Sequence, residues 1–205
     1  ESNRQIKMNF DGGDLSSDAG LLLIKEFICK LGFVKLLKSV FKTNDTALRY
    51  HKDDENLWQV IYQILGAYFE DDCADELIHD PVLTAILDKR ALASQPTLSR
   101  FFNRMDETTL DQFYVLMRRF RKVVYAIKKP RLLLLDLDST LLDTYGHQEG
   151  EGFNFHYQSH GYHPLVCYDG MTGDLLKIEL RNGTNYSSTG VVEFLQPLLD
   201  EFLTD

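Results

Sequence analysis

Long hydrophobic runs are absent from this 205-residue sequence, which has no stretch of about 18 apolar residues able to span a membrane. The sequence does not start with the charged, apolar and small residues of a secretory signal peptide, so we expect a soluble protein. Cysteine is also scarce: the three cysteines are far apart and have neither zinc-site spacing nor the even number of a disulfide framework. These absences exclude disulfide-rich and membrane-spanning classes and predict a reducing cytoplasm.

Basic residues are in the minority, with 22 Lys and Arg against 31 Asp and Glu and a net charge of −9. Such a charge argues against nucleic-acid binding, because phosphate contacts depend on basic groups. The distribution is uneven, however: residues 1–131 carry 20 basic and 19 acidic residues, whereas residues 132–205 carry 2 and 12. Seven basic residues occur without an acidic one at Arg118, Arg119, Arg121, Lys122, Lys128, Lys129 and Arg131. This cluster is either a surface for a phosphate backbone or a solvated helix end favoured by the helix dipole.

Amphipathic helical periodicity is found throughout the first 125 residues. Apolar residues recur at helical spacing after Asp18, after Asn56, after Asp80-Pro81, from Ser94 to Met105 and from Thr108 to Tyr125. Asp and Asn are preferred N-caps, and proline is tolerated in the first turn of a helix. We therefore predict an all-helical N-terminal region over residues 1–127.

The pattern changes at Lys128-Lys-Pro130-Arg131, where proline and charge precede Leu132–Leu135, an apolar run short enough for a buried strand. Two further runs, Leu165–Tyr168 and Leu175–Leu180, flank the glycine-containing turn Asp169–Gly173. Glycines in such a turn are typical of a hairpin. Three strands are therefore expected in a second domain over residues 128–205.

A helix capped within Ser187-Ser-Thr189 should follow, with a kink or break at Pro197, because an interior proline costs a helix about 3 kcal/mol. The segment between the first two strands contains glycines and four histidines, His147, His156, His160 and His163. Their spacing matches no helical zinc motif, so the segment is predicted to be a polar surface loop.

The first strand run ends at Asp136 and Asp138, which lie two residues apart and so share one face of a strand. Burying ionised carboxylates is unfavourable unless they are paired or bind a metal, so this pair indicates a cation or phosphoryl-transfer site. Solvated carboxylates at a frayed strand are the alternative.

Two chemistries fit this pair of aspartates. One is a phosphatase of the haloacid-dehalogenase type, because the segment Asp136-Leu-Asp138-Ser-Thr140 resembles the first motif of that family. In such an enzyme Asp136 would attack phosphorus and Asp138 would act as acid and base. The other is a two-metal nuclease of the ribonuclease-H-like class, in which a strand carboxylate binds Mg²⁺. The local residues alone do not separate them.

Motifs along the whole chain favour the nuclease. They are Phe10-Asp-Gly-Gly-Asp-Leu-Ser-Ser-Asp-Ala-Gly-Leu-Leu-Leu23, His79-Asp-Pro-Val-Leu83, Ala93-Ser-Gln-Pro-Thr-Leu-Ser-Arg-Phe101, Asp136-Leu-Asp-Ser-Thr140 and Tyr145-Gly-His-Gln-Glu-Gly150. In this order they resemble the bacterial DDE transposases of the insertion-sequence thirteen-eighty branch (transposase DDE domain, group 1). Several ordered motifs are more specific than one pair of aspartates.

The resemblance implies an α+β fold: a helical N-terminal domain over residues 1–127, then over residues 128–205 the first part of a ribonuclease-H-like mixed sheet with three strands and a helix. It also implies cut-and-paste transposition, in which a phosphodiester is hydrolysed and the freed 3′-hydroxyl is joined to target DNA with Mg²⁺ or Mn²⁺. Related transposases often have Asp-x-Thr after the first strand, which matches Asp138-Ser-Thr140. Asp138 is therefore predicted to be the catalytic metal ligand, on the central strand, with Asp136 as the alternative.

The family places a second aspartate and a glutamate at positions later than Asp205, so this chain alone is expected to be inactive. A non-catalytic DNA-binding remnant is a further alternative. The partners implied are the terminal repeats of the element, target DNA and a second copy of the transposase in a synaptic homodimer, in the cytoplasm at the nucleoid. The residues predicted to contact DNA are Arg100, Arg104, Arg118, Arg119, Lys122, Lys128 and Lys129. The helix of Arg100 and Arg104 fits equally well as one that only packs through Leu98, Phe101 and Phe102.

Overall fold

The structure, a computed structural model, describes residue 10 and residues 17–204. The chain forms two compact units, residues 1–123 and residues 124–205, each with a hydrophobic core. The helices are α1 (Leu21–Lys30), α2 (Phe33–Val40), α3 (Asp53–Leu65), α4 (Cys73–Glu76), α5 (Pro81–Leu87), α6 (Gln95–Phe102), α7 (Glu107–Ile127) and α8 (Val191–Thr204). The strands are β1 (Leu135–Ser139), β2 (Leu142–Asp143), β3 (Gly152–Asn154), β4 (Ser159–Tyr162), β5 (Leu165–Asp169) and β6 (Leu175–Glu179). The α+β class is thereby confirmed.

Helices alone make up the regular structure of the first unit within its described residues, as the apolar periodicity predicts. Their apolar faces meet in a core that includes Leu37, Leu83 and Phe101, each no more than 1% exposed. No helix in the described residues is both long and apolar enough to cross a membrane. The motif residues 11–16 lie outside the described part of the chain.

Helix starts in this unit agree only partly with the prediction. The carboxylate of Asp80 accepts the backbone N–H groups of Val82 and Leu83 at 2.9 and 2.7 Å, which confirms the expected cap of α5. Asn56 as a cap is wrong, because α3 already begins at Asp53 and Asn56 is 1% exposed inside it. The acidic residues before Asn56 occupy the first helical turn, where the helix dipole favours negative charge.

A three-stranded sheet of order β1-β5-β6 forms the centre of the second unit. β5 and β6 lie at the predicted runs, and β1 lies about three residues later than its predicted run. Both pairings are antiparallel, so the expected mixed sheet is not observed in the described residues. β1 is an edge strand of this sheet and not the expected central strand. Strand hydrophobicity predicts a buried face; it does not specify which neighbours pair.

A second antiparallel sheet, of order β2-β4-β3, occupies the histidine-containing segment. The predicted surface loop is therefore wrong at these three strands, whereas residues 144–151 and 155–158 between them form no strand. The three strands contain only two to four residues each and include two glycines, Gly152 and Gly161. Such strands lack the length over which alternating hydrophobicity can be recognised.

The C-terminal helix α8 packs its apolar face on the inner side of the first sheet, where Phe194 and Leu198 contact the core of Leu165, Cys167 and Leu176. The helix continues through Pro197, so the break expected there is absent. Burial of a large side chain contributes about 1.5–3 kcal/mol, so two buried residues can offset the cost of the proline.

The turn between β5 and β6 is organised by the buried carboxylate of Asp169, as its position beside the turn predicts. It accepts hydrogen bonds from Met171 N (3.0 Å), Thr172 Oγ1 (2.9 Å) and Leu134 N (3.3 Å). Burial raises the pKa of this carboxyl, but the hydrogen bonds lower the pKa by more, so it falls below its ordinary value of 3.8. Asp169 thus ties the hairpin to the segment that leads into β1.

Replacing Asp169 by alanine should destabilise the protein by about 1.5–3 kcal/mol at neutral pH, because the buried donors lose a charged acceptor. A depressed folded-state pKa stabilises the protein above the unfolded-state pKa, and this stabilisation is lost as pH falls through the folded-state pKa. The difference between wild type and Asp169→Ala should therefore shrink below about pH 4. Urea unfolding at several pH values measures it, with exposed Asp174→Ala as the matched control. An equal loss in both variants would contradict this role.

Candidate active-site cleft

Asp136 and Asp138 project from the open face of the first sheet, opposite the face that packs on α8. Their partners in the register are Tyr168 and Val166 of β5, and both aspartates are exposed to solvent. The shared face is thus confirmed. The premise that the two carboxylates are buried is wrong, because β1 is an edge strand and α8 covers only the other face. Burial alone therefore gives no reason to place a metal here.

Asp138 lies in a cleft of about 430 Å³ that Asp136 does not line. One carboxylate oxygen of Asp138, Oδ1, accepts the N–H of Ser139 at 2.7 Å. Within the described residues, its other oxygen has no hydrogen-bond partner. Besides Asp138, the cleft is lined by Ser139, Asn154, Phe155, His156, Tyr157, His163, Gly183, Thr184, Asn185, Tyr186 and Ser187.

One wall of the cleft is the turn after β3, residues 154–157. The Asn154 side chain is buried; its Oδ1 accepts the N–H groups of His156 (3.0 Å) and Tyr157 (3.1 Å), and its Nδ2 donates to the carbonyl of Gly183 (2.8 Å). A single asparagine therefore shapes this turn and fixes it to the opposite wall.

The opposite wall, residues 182–187, is held to the end of β1. The hydroxyls of Ser139 and Ser187 lie 2.7 Å apart, and the imidazole Nδ1 of His163 donates to the carbonyl of Asn185 at 2.8 Å. A Cβ at Gly183 would overlap the carbonyl oxygens of Gly152 and Gly161, so the chain can approach the second sheet here only with glycine. Of the two strand carboxylates, Asp138 is thus the one that lies between two walls held in place by hydrogen bonds.

Metal-ligating side chains do not gather around Asp138 in the described residues, where no group of three His, Cys, Asp or Glu could hold an ion. His156 and His163 line the cleft, whereas His147 and His160 flank Glu151. The His160 Nδ1 lies 2.9 Å from Glu151 Oε2, and His147 Nδ1 lies 3.7 Å from Oε1. The four histidines therefore belong to two different places in the second unit.

The phosphatase interpretation also requires a lysine later in the chain, and Lys177 is the only lysine after β1. Its Nζ donates to the carbonyl of Phe194 at 2.8 Å and lies 4.6 Å from the centre of that ring. Lys177 therefore faces α8, on the side of the sheet away from Asp136 and Asp138.

The thiol of Cys167 is not an activated nucleophile, because burial and the carboxylate of Asp136 both raise its pKa.

The residues predicted to contact DNA differ in their surroundings. Arg100, Arg118, Arg119, Lys122, Lys128 and Lys129 are all exposed. Arg104 is instead engaged inside the first unit: its guanidinium binds Asp53 at 2.8 Å, lies 3.6 Å from Asp45, and sits 5.7 Å from the Phe101 ring. The structure therefore gives Arg104 an internal bridging role.

Several residues that enclose Asp138 are not among those predicted from the sequence, in particular Asn154, Phe155, Tyr157 and Tyr186. The run Phe153-Asn-Phe-His-Tyr157 is an available signal, because three aromatic residues within five positions are unusual in a polar loop. Its relation to β1 depends on strand pairings distant in sequence.

Residues 1–204 match the model of the family described as transposase DDE domain group 1. No curated protein and no solved structure matches the chain. The match extends over both units, and its residues include the strand of Asp136 and Asp138. The family predicted from the ordered motifs is confirmed, and the chain belongs to the DDE transposases of group 1.

Proposed function

We propose that this chain takes part in metal-dependent cleavage and strand transfer of DNA, with Asp138 as the first acidic residue of the catalytic set. Membership in the DDE transposases gives transposition as the general activity. The observation that carries the assignment to Asp138 is its place in the cleft at the end of β1. We also propose that the chain belongs to the thirteen-eighty branch of insertion sequences and that its second unit is the first part of a ribonuclease-H-like fold.

Asp138 is preferred over Asp136 because of what surrounds each carboxylate. Asp138 is followed by Ser139, whose hydroxyl bonds Ser187, so the backbone beside the carboxylate is held in place. Asp136 lies on the same strand face, outside the cleft lining. Preorganised groups contribute more to catalysis than mobile ones, which supports Asp138 as the metal ligand.

Mg²⁺ or Mn²⁺ fits Asp138 as one ligand of several. Its exposed carboxylate has one oxygen without a hydrogen bond in the described residues, and hard divalent cations prefer such oxygens. The coordination of the cation would be completed by water, by phosphate oxygens of the DNA and by carboxylates that do not line this cleft. The cation would polarise the scissile phosphate and lower the pKa of the attacking water.

DNA contacts are proposed for the exposed basic residues of the predicted set. Arg118, Arg119 and Lys122 are exposed on α7, and Arg100 is exposed on α6. Lys128 and Lys129 extend the same basic stretch of sequence. Arg104 is left out, because its guanidinium already binds Asp53 and Asp45. A homodimer on the element ends is part of the proposal.

DNA binding provides the first test. The chain should bind a duplex carrying an element end, and affinity should fall steeply with salt because phosphate contacts release counterions. Arg119→Ala and Lys128→Ala should each weaken binding and reduce the salt slope by about 1. Fluorescence anisotropy at several salt concentrations measures this, with exposed Lys38→Ala of α2 as the matched control. Equal slopes for all three variants would remove these two residues from the interface.

Cleavage provides the second test. The transposase that contains this chain should nick the labelled duplex with Mg²⁺ or Mn²⁺ and not with EDTA. Binding without cation-dependent nicking would favour the non-catalytic DNA-binding remnant. Turnover of a small phosphate ester that depends on Asp136 would favour the phosphatase instead.

A further inference from the structure

Three exposed aromatic side chains gather around the Asp138 cleft. Phe155 and Tyr186 are each 79% exposed and Tyr157 is 45% exposed, and all three line the cleft. Large rings are usually covered in a folded protein, so three exposed rings around one cleft indicate a surface for a ligand. The rings come from both walls, Phe155 and Tyr157 from one and Tyr186 from the other.

Their exposure does not arise from a poorly held segment. Buried Asn154 anchors the Phe155–Tyr157 turn through three hydrogen bonds. The Tyr157 ring lies 5.9 Å from the ring of buried His163, and the Phe155 ring lies 5.2 Å from that of Phe153. The carbonyl of Asn185, next to Tyr186, accepts the His163 Nδ1–H group. The rings are therefore presented by hydrogen-bonded turns.

The charges of the lining narrow the kind of ligand. Among the described residues, no Lys or Arg lines the cleft, and Asp138 is the only acidic residue in its lining. A site that held DNA through its phosphates alone would carry basic side chains, so the contacts in this cleft would be made to bases. Flat rings instead suit a nucleobase, which offers a face for stacking. The Asn185 amide and the Thr184 hydroxyl beside them already donate to Asn182 (3.0 and 2.8 Å), which leaves their oxygens as acceptors for a base edge.

We infer that the cleft holds unpaired nucleotides of the DNA strand adjacent to the scissile phosphate, with bases stacked on Phe155 and Tyr186 and the backbone passing Asp138. This inference rests on the proposed function, since Asp138 marks the point of cleavage. The site would select DNA whose end is frayed or single-stranded. A continuous duplex keeps its bases stacked on one another and offers no free base face to these rings.

The experiment compares two probes of the same length, fluorescein-labelled oligo-dT of about 10 nucleotides and a blunt duplex. Anisotropy titrations of the whole chain at fixed low salt give both affinities. Phe155→Ala and Tyr186→Ala should each weaken oligo-dT binding about tenfold or more, the loss expected when one base loses its stacking partner. Duplex affinity should change less than threefold, about 0.65 kcal/mol. Phe155→Tyr and Tyr186→Phe keep a ring and should keep oligo-dT binding.

Tyr145→Ala is the matched control, because Tyr145 is 94% exposed in the same unit and does not line the cleft. The inference is overturned if the wild-type chain does not bind oligo-dT, or if the two cleft variants bind it as well as Tyr145→Ala does. Duplex binding and cation-dependent nicking would survive either result, so the proposed function can stand when this inference fails. If the chain binds neither probe, both fail.

Discussion

Asp138→Asn should lower the rate of DNA nicking by the transposase at least about a thousandfold, an increase of about 4 kcal/mol in the activation barrier. An asparagine keeps the size of the side chain but removes the negative charge that holds a divalent cation. Stabilisation of transition-state charge by a bound cation contributes several kcal/mol, which sets the size of the effect. The measurement is the single-turnover rate of nicking on a labelled element end with Mg²⁺.

Asp136→Asn is the matched control, since the two aspartates share a strand, a face and a high exposure. It should retain most of the nicking rate. Both variants should bind the DNA as tightly as wild type and unfold at the same urea concentration, because both carboxylates are exposed. If Asp136→Asn loses nicking and Asp138→Asn does not, Asp136 is the ligand and the assignment based on the cleft is wrong.

A change of metal separates a ligand role from a structural one. Asp138→Cys replaces a carboxylate by a thiolate, which is a poor ligand for Mg²⁺ and a better one for Mn²⁺. Nicking by this variant should therefore recover in part with Mn²⁺ and remain absent with Mg²⁺. A residue that only supports the local fold would show the same loss with both cations.

The helices of the first unit could be predicted because their signals are local. The pair Asp80-Pro81 predicts the start of α5, because Asp80 can cap the helix and a proline is tolerated in its first turn; the structure has both features. Asn56 has the same cap propensity, yet it lies buried within α3 because acidic residues extend that helix toward its start. Propensity identifies residues able to begin a helix, and packing decides which of them does.

The sheet could be predicted only strand by strand. Two of the three apolar runs form strands, whereas β1 begins only at Leu135, the last residue of the first run, and its edge position depends on its pairing with β5, about 30 residues later. That pairing also explains why Asp136 and Asp138 are exposed, contrary to expectation. The cleft escapes prediction for the same reason, because Asn154 and Gly183 meet only after β3 and the 182–187 segment have been placed.

Phe194→Ala should destabilise the second unit by about 3–5 kcal/mol, the typical cost of removing a buried phenylalanine. Phe194 is 1% exposed and lies between α8 and the strands, where it contacts the core of Leu165, Cys167 and Leu176. It also supplies the ring over which the Lys177 ammonium sits. The alanine variant therefore loses a large apolar volume and leaves a charged group without its ring.

The size of this loss makes Phe194 a test of whether α8 holds the Asp138 strand. Hydrogen exchange at the amides of β1 and β5 measures the stability of the second unit. Fluorescence of the single tryptophan, Trp58, reports the unfolding of the first unit. Phe194→Leu, which keeps an apolar side chain, should restore much of the protection, and Phe155→Ala, at a 79% exposed ring, should leave it unchanged. Unchanged exchange in Phe194→Ala would mean that β1 is held without α8. Faster exchange in β1 and β5 alike would show that the apolar contact beneath the sheet keeps Asp138 in place above it.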